Sequence, residues 1–121
     1  MGVKRLDDLA AYQLAVEFKR GVYRFVRACP EAYRDYRWRS QLYEAARGVE
    51  SNIAEGWRRF QKRQICQFLR YALSSLEEAT RGLLDGVDRE YFARNPCEPL
   101  LILARRCGGA TVALLKSLEN L

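Results

Sequence analysis

Four stretches of the chain carry apolar or small residues in alternating steps of four and three. Ala11, Ala15, Phe18, Val22, Phe25 and Cys29 form the first, and Leu42, Ala46, Val49, Ile53, Gly56 and Phe60 the second. Ile65, Leu69, Ala72, Leu76, Ala79 and Leu83 form the third, and Leu100, Ala104, Cys107, Thr111, Leu114 and Leu118 the fourth. This spacing keeps one stripe of a helix turned toward a partner in near-parallel packing, whereas the period-two alternation of a half-buried strand is absent. With 121 residues the chain has room for one such core. The expected fold is all-α: a single-domain, antiparallel, up-down-up-down four-helix bundle with helices at about 7–28, 38–57, 61–86 and 96–119.

The breaks between stripes agree with this reading. Asp7 or Asp8 is placed to cap the first helix, and Cys29-Pro30 to end it, because the residue before proline is pushed out of the helical region. A link rich in Tyr and Arg, Tyr33 to Arg37, leads to the second helix, which is expected to end at or near Gly56, and the third at Gly86. Asn95-Pro96 reads as an N-cap and first-turn proline, with Glu98 completing a capping box. Gly108-Gly109 falls inside the fourth helix, where it implies a close helix approach or a mild kink.

Composition excludes several classes. Hydrophobic residues make up 49% and charged residues 30%, which separates the chain from disordered sequences. No apolar run approaches the ~20 residues of a membrane span. No apolar segment follows Met1-Gly2-Val3-Lys4-Arg5, so a cytoplasmic location is expected. Histidine is absent, and Cys29, Cys66, Cys97 and Cys107 form no C-x-x-C pair, so neither a zinc site nor a disulfide is expected. Without histidine, a phosphate-cradling glycine loop or a Glu-x-x-His pair, the expectation is a binding module and not an enzyme, with no cofactor.

The balance of 21 Lys+Arg against 15 Asp+Glu, a net charge of +6, points to polyanions. The densest cluster follows Gly56. Arg58, Arg59, Lys62 and Arg63 interleave with Trp57 and Phe60, Arg70 lies one heptad after Arg63, and no acid occurs between Glu55 and Glu77. Arginine forks fit phosphate oxygens, and exposed aromatic faces stack on unpaired bases. The structural alternative is a solvated loop pinned to the core by Trp57 and Phe60. Arg20, Arg24 and Arg27 share one face of the first helix and read equally as a second polyanion contact or a wet surface. Asn52 and Glu55, three apart, can lie side by side, either in a pocket or in a hydrogen-bonded network that fixes register.

Gln41-Leu42, Ala45-Ala46, Val49, Ser51-Asn52-Ile53-Ala54-Glu55-Gly56, Arg59, Phe68-Leu69, Ala72, Ser75-Leu76 and Glu78 resemble the signature of the 23S rRNA intervening-sequence proteins, also called four-helix bundle proteins. The resemblance runs from about Leu6 to Leu118, with Trp57 where the family often has another aromatic or a small residue. It implies an antiparallel four-helix bundle assembling as a homopentamer, encoded within bacterial 23S rRNA genes and with no settled reaction. A related branch, the accessory variability determinant proteins of diversity-generating retroelements, binds a reverse transcriptase and nucleic acid. Carried onto this chain, the resemblance implies nucleic-acid contact at Arg58, Arg59, Lys62, Arg63 and Arg70, with RNA expected over DNA. The alternative function is a protein-interaction scaffold, such as an accessory subunit for a reverse transcriptase.

Overall fold

A computed structural model describes residues 4–121; Met1, Gly2 and Val3, part of the stretch read for a leader, lie outside the described residues. Five α-helices follow a 3-10 turn at Leu6–Asp8: α1 (Ala10–Arg27), the short α2 (Pro30–Arg34), α3 (Tyr36–Trp57), α4 (Lys62–Asp88) and α5 (Arg94–Glu119). No strand occurs among the described residues, and no described helix is long and apolar enough to cross a membrane.

The four long helices form an all-α bundle in which each packs mainly on its neighbours in the ring α1–α3–α4–α5. The contacts fix the directions. Lys19 meets Glu50 and Tyr23 meets Tyr43, so numbering rises along α1 as it falls along α3. Trp38 bonds to the Gly82 carbonyl, whereas Gly56 abuts Phe68, which makes α3 and α4 antiparallel. Arg70 pairs with Glu119 and Gly108 faces Leu76 on α4–α5, and Gly21 faces Leu100 while Cys107 reaches the Ala11 carbonyl on α1–α5. The expected up-down-up-down arrangement is therefore the observed one.

The core is built from the predicted stripes. Phe18, Val22, Val49, Ile53, Leu69, Leu83, Cys107 and Thr111 are among its fully buried side chains. Its edges depart from the heptad count. Val26 is buried on α1 where Phe25 and Cys29 are only half-buried, and Leu115 is buried on α5 where Leu114 and Leu118 are half-buried. Phe60, the expected last member of the second stripe, is not in the core: α3 has already ended at Trp57.

Helix boundaries carry further corrections. Asp7 and Asp8 do not cap α1; they sit in the 3-10 turn, and Leu9 is the N-cap. The Tyr- and Arg-rich link contains α2, whose first residue, Pro30, is preset for a helical start. Asp35 caps α3, its side chain accepting from the Trp38 N–H at 3.2 Å. α4 passes Gly86, which is needed for space: an added Cβ would lie 2.7 Å from the Trp38 ring and 2.5 Å from Phe92. The chain leaves α4 instead at Glu90, with φ 63°. There the Tyr91 N–H bonds the Gly86 carbonyl and the Glu90 N–H the Val87 carbonyl, a Schellman closure built without glycine. The expected Asn95–Glu98 capping box is absent. α5 starts at Arg94 after Ala93, Pro96 falls in the first turn where its missing N–H has no helical partner, and Glu98 pairs with Arg94. Of the glycine pair in α5, Gly108 gives Leu76 room at 3.3 Å and Gly109 faces open space.

Asp35 also fastens this end of the bundle across elements. Its carboxylate accepts from the Tyr91 hydroxyl and from Arg89 Nη1 at 3.2 Å, while Arg89 Nε holds Asp85 at 2.8 Å. The Tyr91 hydrogen bond, then the Trp38 N–H and Arg89, hold the Asp35 carboxyl below its ordinary value of 3.8. A depressed folded-state value contributes stability that is fully present above 3.8 and is lost as pH falls below it through the depressed value. Replacing Asp35 with Ala should lower the thermal midpoint at neutral pH. It should also flatten the midpoint's decline below about pH 4 in circular-dichroism melts; a decline as steep as the parent's would remove Asp35 as its source.

Candidate nucleic-acid interface

The basic cluster is positioned by the close approach of α3 and α4. A Cβ built on Gly56 would lie 2.6 Å from Phe68 Cβ and 3.4 Å from the Ile65 carbonyl oxygen. Hydrogen alone fits there, so the end of α3 lies directly on the first turns of α4. Gly56 is thus a contact residue inside α3 and not the residue that reverses the chain; no glycine among the described residues has a positive φ. Arg58 follows as a helical C-cap, the Arg59 N–H returns to the Gly56 carbonyl at 3.0 Å, and Gln61 is extended before α4 begins at Lys62.

Within this turn the five expected residues divide. Arg59 Nη2 lies 2.6 Å from Glu55 Oε2, with its guanidinium 5.1 Å from the centre of the Phe68 ring. Arg58 reaches the other Glu55 oxygen at only 3.9 Å and remains 78% exposed. Arg70 is two turns into α4 and held by Glu119 of α5, so its charge is answered within the chain. Lys62 and Arg63 are exposed, and among the described residues neither has a carboxylate within 4 Å. The structure therefore gathers Arg58, Arg59, Lys62 and Arg63 in one turn and leaves Arg70 outside it.

The two aromatics separate as well. Trp57 is half-buried and its indole N–H donates to the Lys4 carbonyl at 2.9 Å, so it pins the turn to the start of the chain. Phe60 has a relative exposure of 101%, the value of a side chain with no neighbour at all. The first turn of α4 has no acidic residue and Gln61 makes no side-chain cap. Its unpaired N–H groups and the positive end of the helix dipole thus add to Lys62 and Arg63, a combination that favours an anion. Beside it, Gln61, Arg63, Gln64 and Gln67 line a shallow depression of about 300 Å3. The sequence reading missed these glutamines, although their spacing of three was the available signal.

Asn52 and Glu55 do not pair. The Asn52 amide donates to the Gly48 carbonyl of its own helix at 2.8 Å and lines a polar cleft of about 470 Å3 with Gln41, Glu44, Arg47, Ser75 and Glu78. Glu55 is committed to the two arginines. Among the described residues no three His, Cys, Asp or Glu side chains gather as a metal site. Burial pushes the Cys97 and Cys107 thiols up to about 11, so both are protonated at neutral pH and poor nucleophiles.

A family model for the 23S rRNA-intervening sequence protein matches residues 7–113, all of the bundle except the end of α5. The chain belongs to that family. No curated protein matches it. The family carries no established reaction. The Ser51–Gly56 run that marks the resemblance is helical throughout, with Ile53 and Gly56 buried and Ser51 exposed, and the chain becomes continuously exposed only from Arg58.

Gly56→Ala should destabilise the chain. The methyl meets Phe68 Cβ at 2.6 Å, and overpacking of about 1–3 kcal/mol exceeds the ~1 kcal/mol that alanine gains over glycine in a helix. A urea midpoint equal to or above the parent's would show that α3 and α4 can separate at no cost.

Proposed function

We propose that this chain is a basic, self-associating protein that binds nucleic acid, RNA in preference to DNA, through the α3–α4 turn. The observation that carries the reading is Phe60. A fully exposed aromatic ring between Arg58-Arg59 and Lys62-Arg63 adds nothing to the fold, yet it sits where cations can take phosphates on either side of a stacked base. Base stacking is worth about 1–3 kcal/mol and needs unpaired bases, which favours single-stranded RNA loops over duplex DNA. The glutamines of the adjoining depression add amide donors and acceptors suited to base edges.

Because the single charge of Glu55 holds Arg59 and lies at 3.9 Å from Arg58, Lys62 and Arg63 carry most of the available charge. Changing Arg58, Arg59, Lys62 and Arg63 together to alanine should weaken RNA binding and flatten its salt dependence, each lost phosphate contact lowering the slope by about 0.7. Lys62→Ala/Arg63→Ala alone should account for more of the loss than Arg58→Ala/Arg59→Ala. Helical content should stay at the parent's level. Filter binding that finds the quadruple variant as tight as the parent sinks the site.

Self-association, read as the homopentamer of the family resemblance, is assigned to α4 and α5. Tyr71 and Ile102 are exposed on these helices, and Leu73, Leu76, Leu84, Leu101 and Ala104, together with Glu77, Thr80, Arg94 and Arg105, line a cleft of about 300 Å3. An apolar contact should persist in salt while phosphate binding fades. Light scattering should give a mass near five chains at both low and high salt; a monomer at both removes the assembly.

A further inference from the structure

A second surface, running toward the opposite end of the bundle, combines aromatic faces with cations that have no carboxylate partner. Arg20, Arg24 and Arg27 on α1, Arg34 on α2, and Arg37 and Arg39 at the start of α3 all lack a carboxylate within 4 Å among the described residues. The acids closest to them in sequence are Glu17, Glu31 and Asp35, and Asp35 is spent on Tyr91, Arg89 and the cap of α3. In contrast, three of the five residues of the expected cluster, Arg58, Arg59 and Arg70, are paired within the chain.

The aromatic part is organised around Arg39. Its guanidinium lies 4.1 Å from the centre of the Tyr33 ring and 5.4 Å from that of Tyr36, and Nη1 donates to the Tyr33 carbonyl. This arrangement holds the two rings while leaving them open: Tyr36 is 71% and Tyr33 43% exposed. Tyr23 and Tyr43 bridge α1 and α3 just behind them, ring centres 4.6 Å apart. Arg39 on Tyr33 joins α3 to α2, and Tyr23 against Tyr43 joins α1 to α3, so residues of α1, α2 and α3 converge here. Preset tyrosine faces beside uncompensated guanidinium groups are the elements of a stacking platform with a phosphate track.

We infer that, given nucleic-acid binding as read above, this α1–α2–α3 face is a second and separate contact for a single strand. Unpaired bases stack on Tyr33 and Tyr36, and Arg20, Arg24 and Arg27 follow the phosphates along α1. The aromatic rings of the two surfaces lie at opposite ends of α3, whose 22 residues span about 33 Å. Double-stranded nucleic acid offers phosphates but no free base faces, so only the arginines would meet it.

The test is fluorescence anisotropy with a labelled, unstructured oligouridylate and a duplex RNA of equal length, using the full chain at low salt. Tyr33→Ala/Tyr36→Ala should weaken single-strand binding about tenfold or more and duplex binding less than twofold. Tyr33→Phe/Tyr36→Phe, which keeps the faces, should bind like the parent. Arg20→Ala/Arg24→Ala/Arg27→Ala should weaken both probes and lower the single-strand salt slope by about 2. Unchanged single-strand binding by the tyrosine-to-alanine pair, with melting as in the parent, overturns the inference. If that pair loses binding while the turn variant at Arg58, Arg59, Lys62 and Arg63 does not, this surface stands and the turn assignment fails. If only the turn variant loses binding, the reverse holds. A parent that binds neither probe overturns both.

Discussion

The contact between α3 and α4 sets the geometry on which the rest depends. It is tight at both ends: Gly56 lies against Phe68 near the turn, and Gly86 against Trp38 far from it. A side chain at either position would spread the helices, lengthen the path between them and separate the groups that Arg58 to Lys62 bring together. The Trp38 indole closes the far end by donating to the Gly82 carbonyl at 3.0 Å, so backbone polarity there is satisfied inside the packing. α1 and α5 complete the ring against this pair.

How the charge is distributed matters more than its sum. Several exposed carboxylates are matched to arginines one turn away on the same helix, as in Glu55–Arg59, Glu77–Arg81, Asp85–Arg89 and Arg94–Glu98. Such pairs contribute little to stability at the surface. Their effect is to remove particular cations from long-range electrostatics and concentrate the excess elsewhere. Two collections of uncompensated charge result, one around Lys62 and Arg63 and one along α1, α2 and the start of α3, while Arg47, Arg105 and Arg106 also lack a carboxylate within 4 Å among the described residues. Both collections include exposed aromatic rings, Phe60 in one and Tyr33 with Tyr36 in the other.

The stripes were legible because burial on a helix repeats with its turn, and Leu42, Val49, Ile53, Leu69, Ala72 and Leu83 fell where the spacing put them. Phe60 shows where that logic stops: the heptad continues in the letters after the helix has ended, and spacing carries no information about the end. The short α2 escaped because five residues are too few for a periodic signal, and Pro30 was read as a stop when it is also a start. Asp35 and Arg70 take their partners from Tyr91 and Glu119, far along the chain, so no local pattern could reveal them. The side-by-side Asn52 and Glu55 allowed by their spacing gave way to nearer partners, the Gly48 carbonyl and two arginines.

The two ends of the bundle are fastened unequally. At the α2 end, Cys29 Sγ reaches the Tyr91 carbonyl at 2.8 Å, Asp35 accepts from Tyr91 and Arg89 of the α4–α5 turn, and Trp38 of α3 bonds the Gly82 carbonyl of α4. At the other end Trp57 and Lys4, and the exposed Arg70 and Glu119, make the comparable links. The α3–α4 turn is therefore held by fewer bonds between elements than the α2 end. The two exposed aromatic surfaces therefore differ in their support: Tyr33 and Tyr36 stand at the more heavily cross-linked end of the bundle, and Phe60 at the end with fewer such bonds.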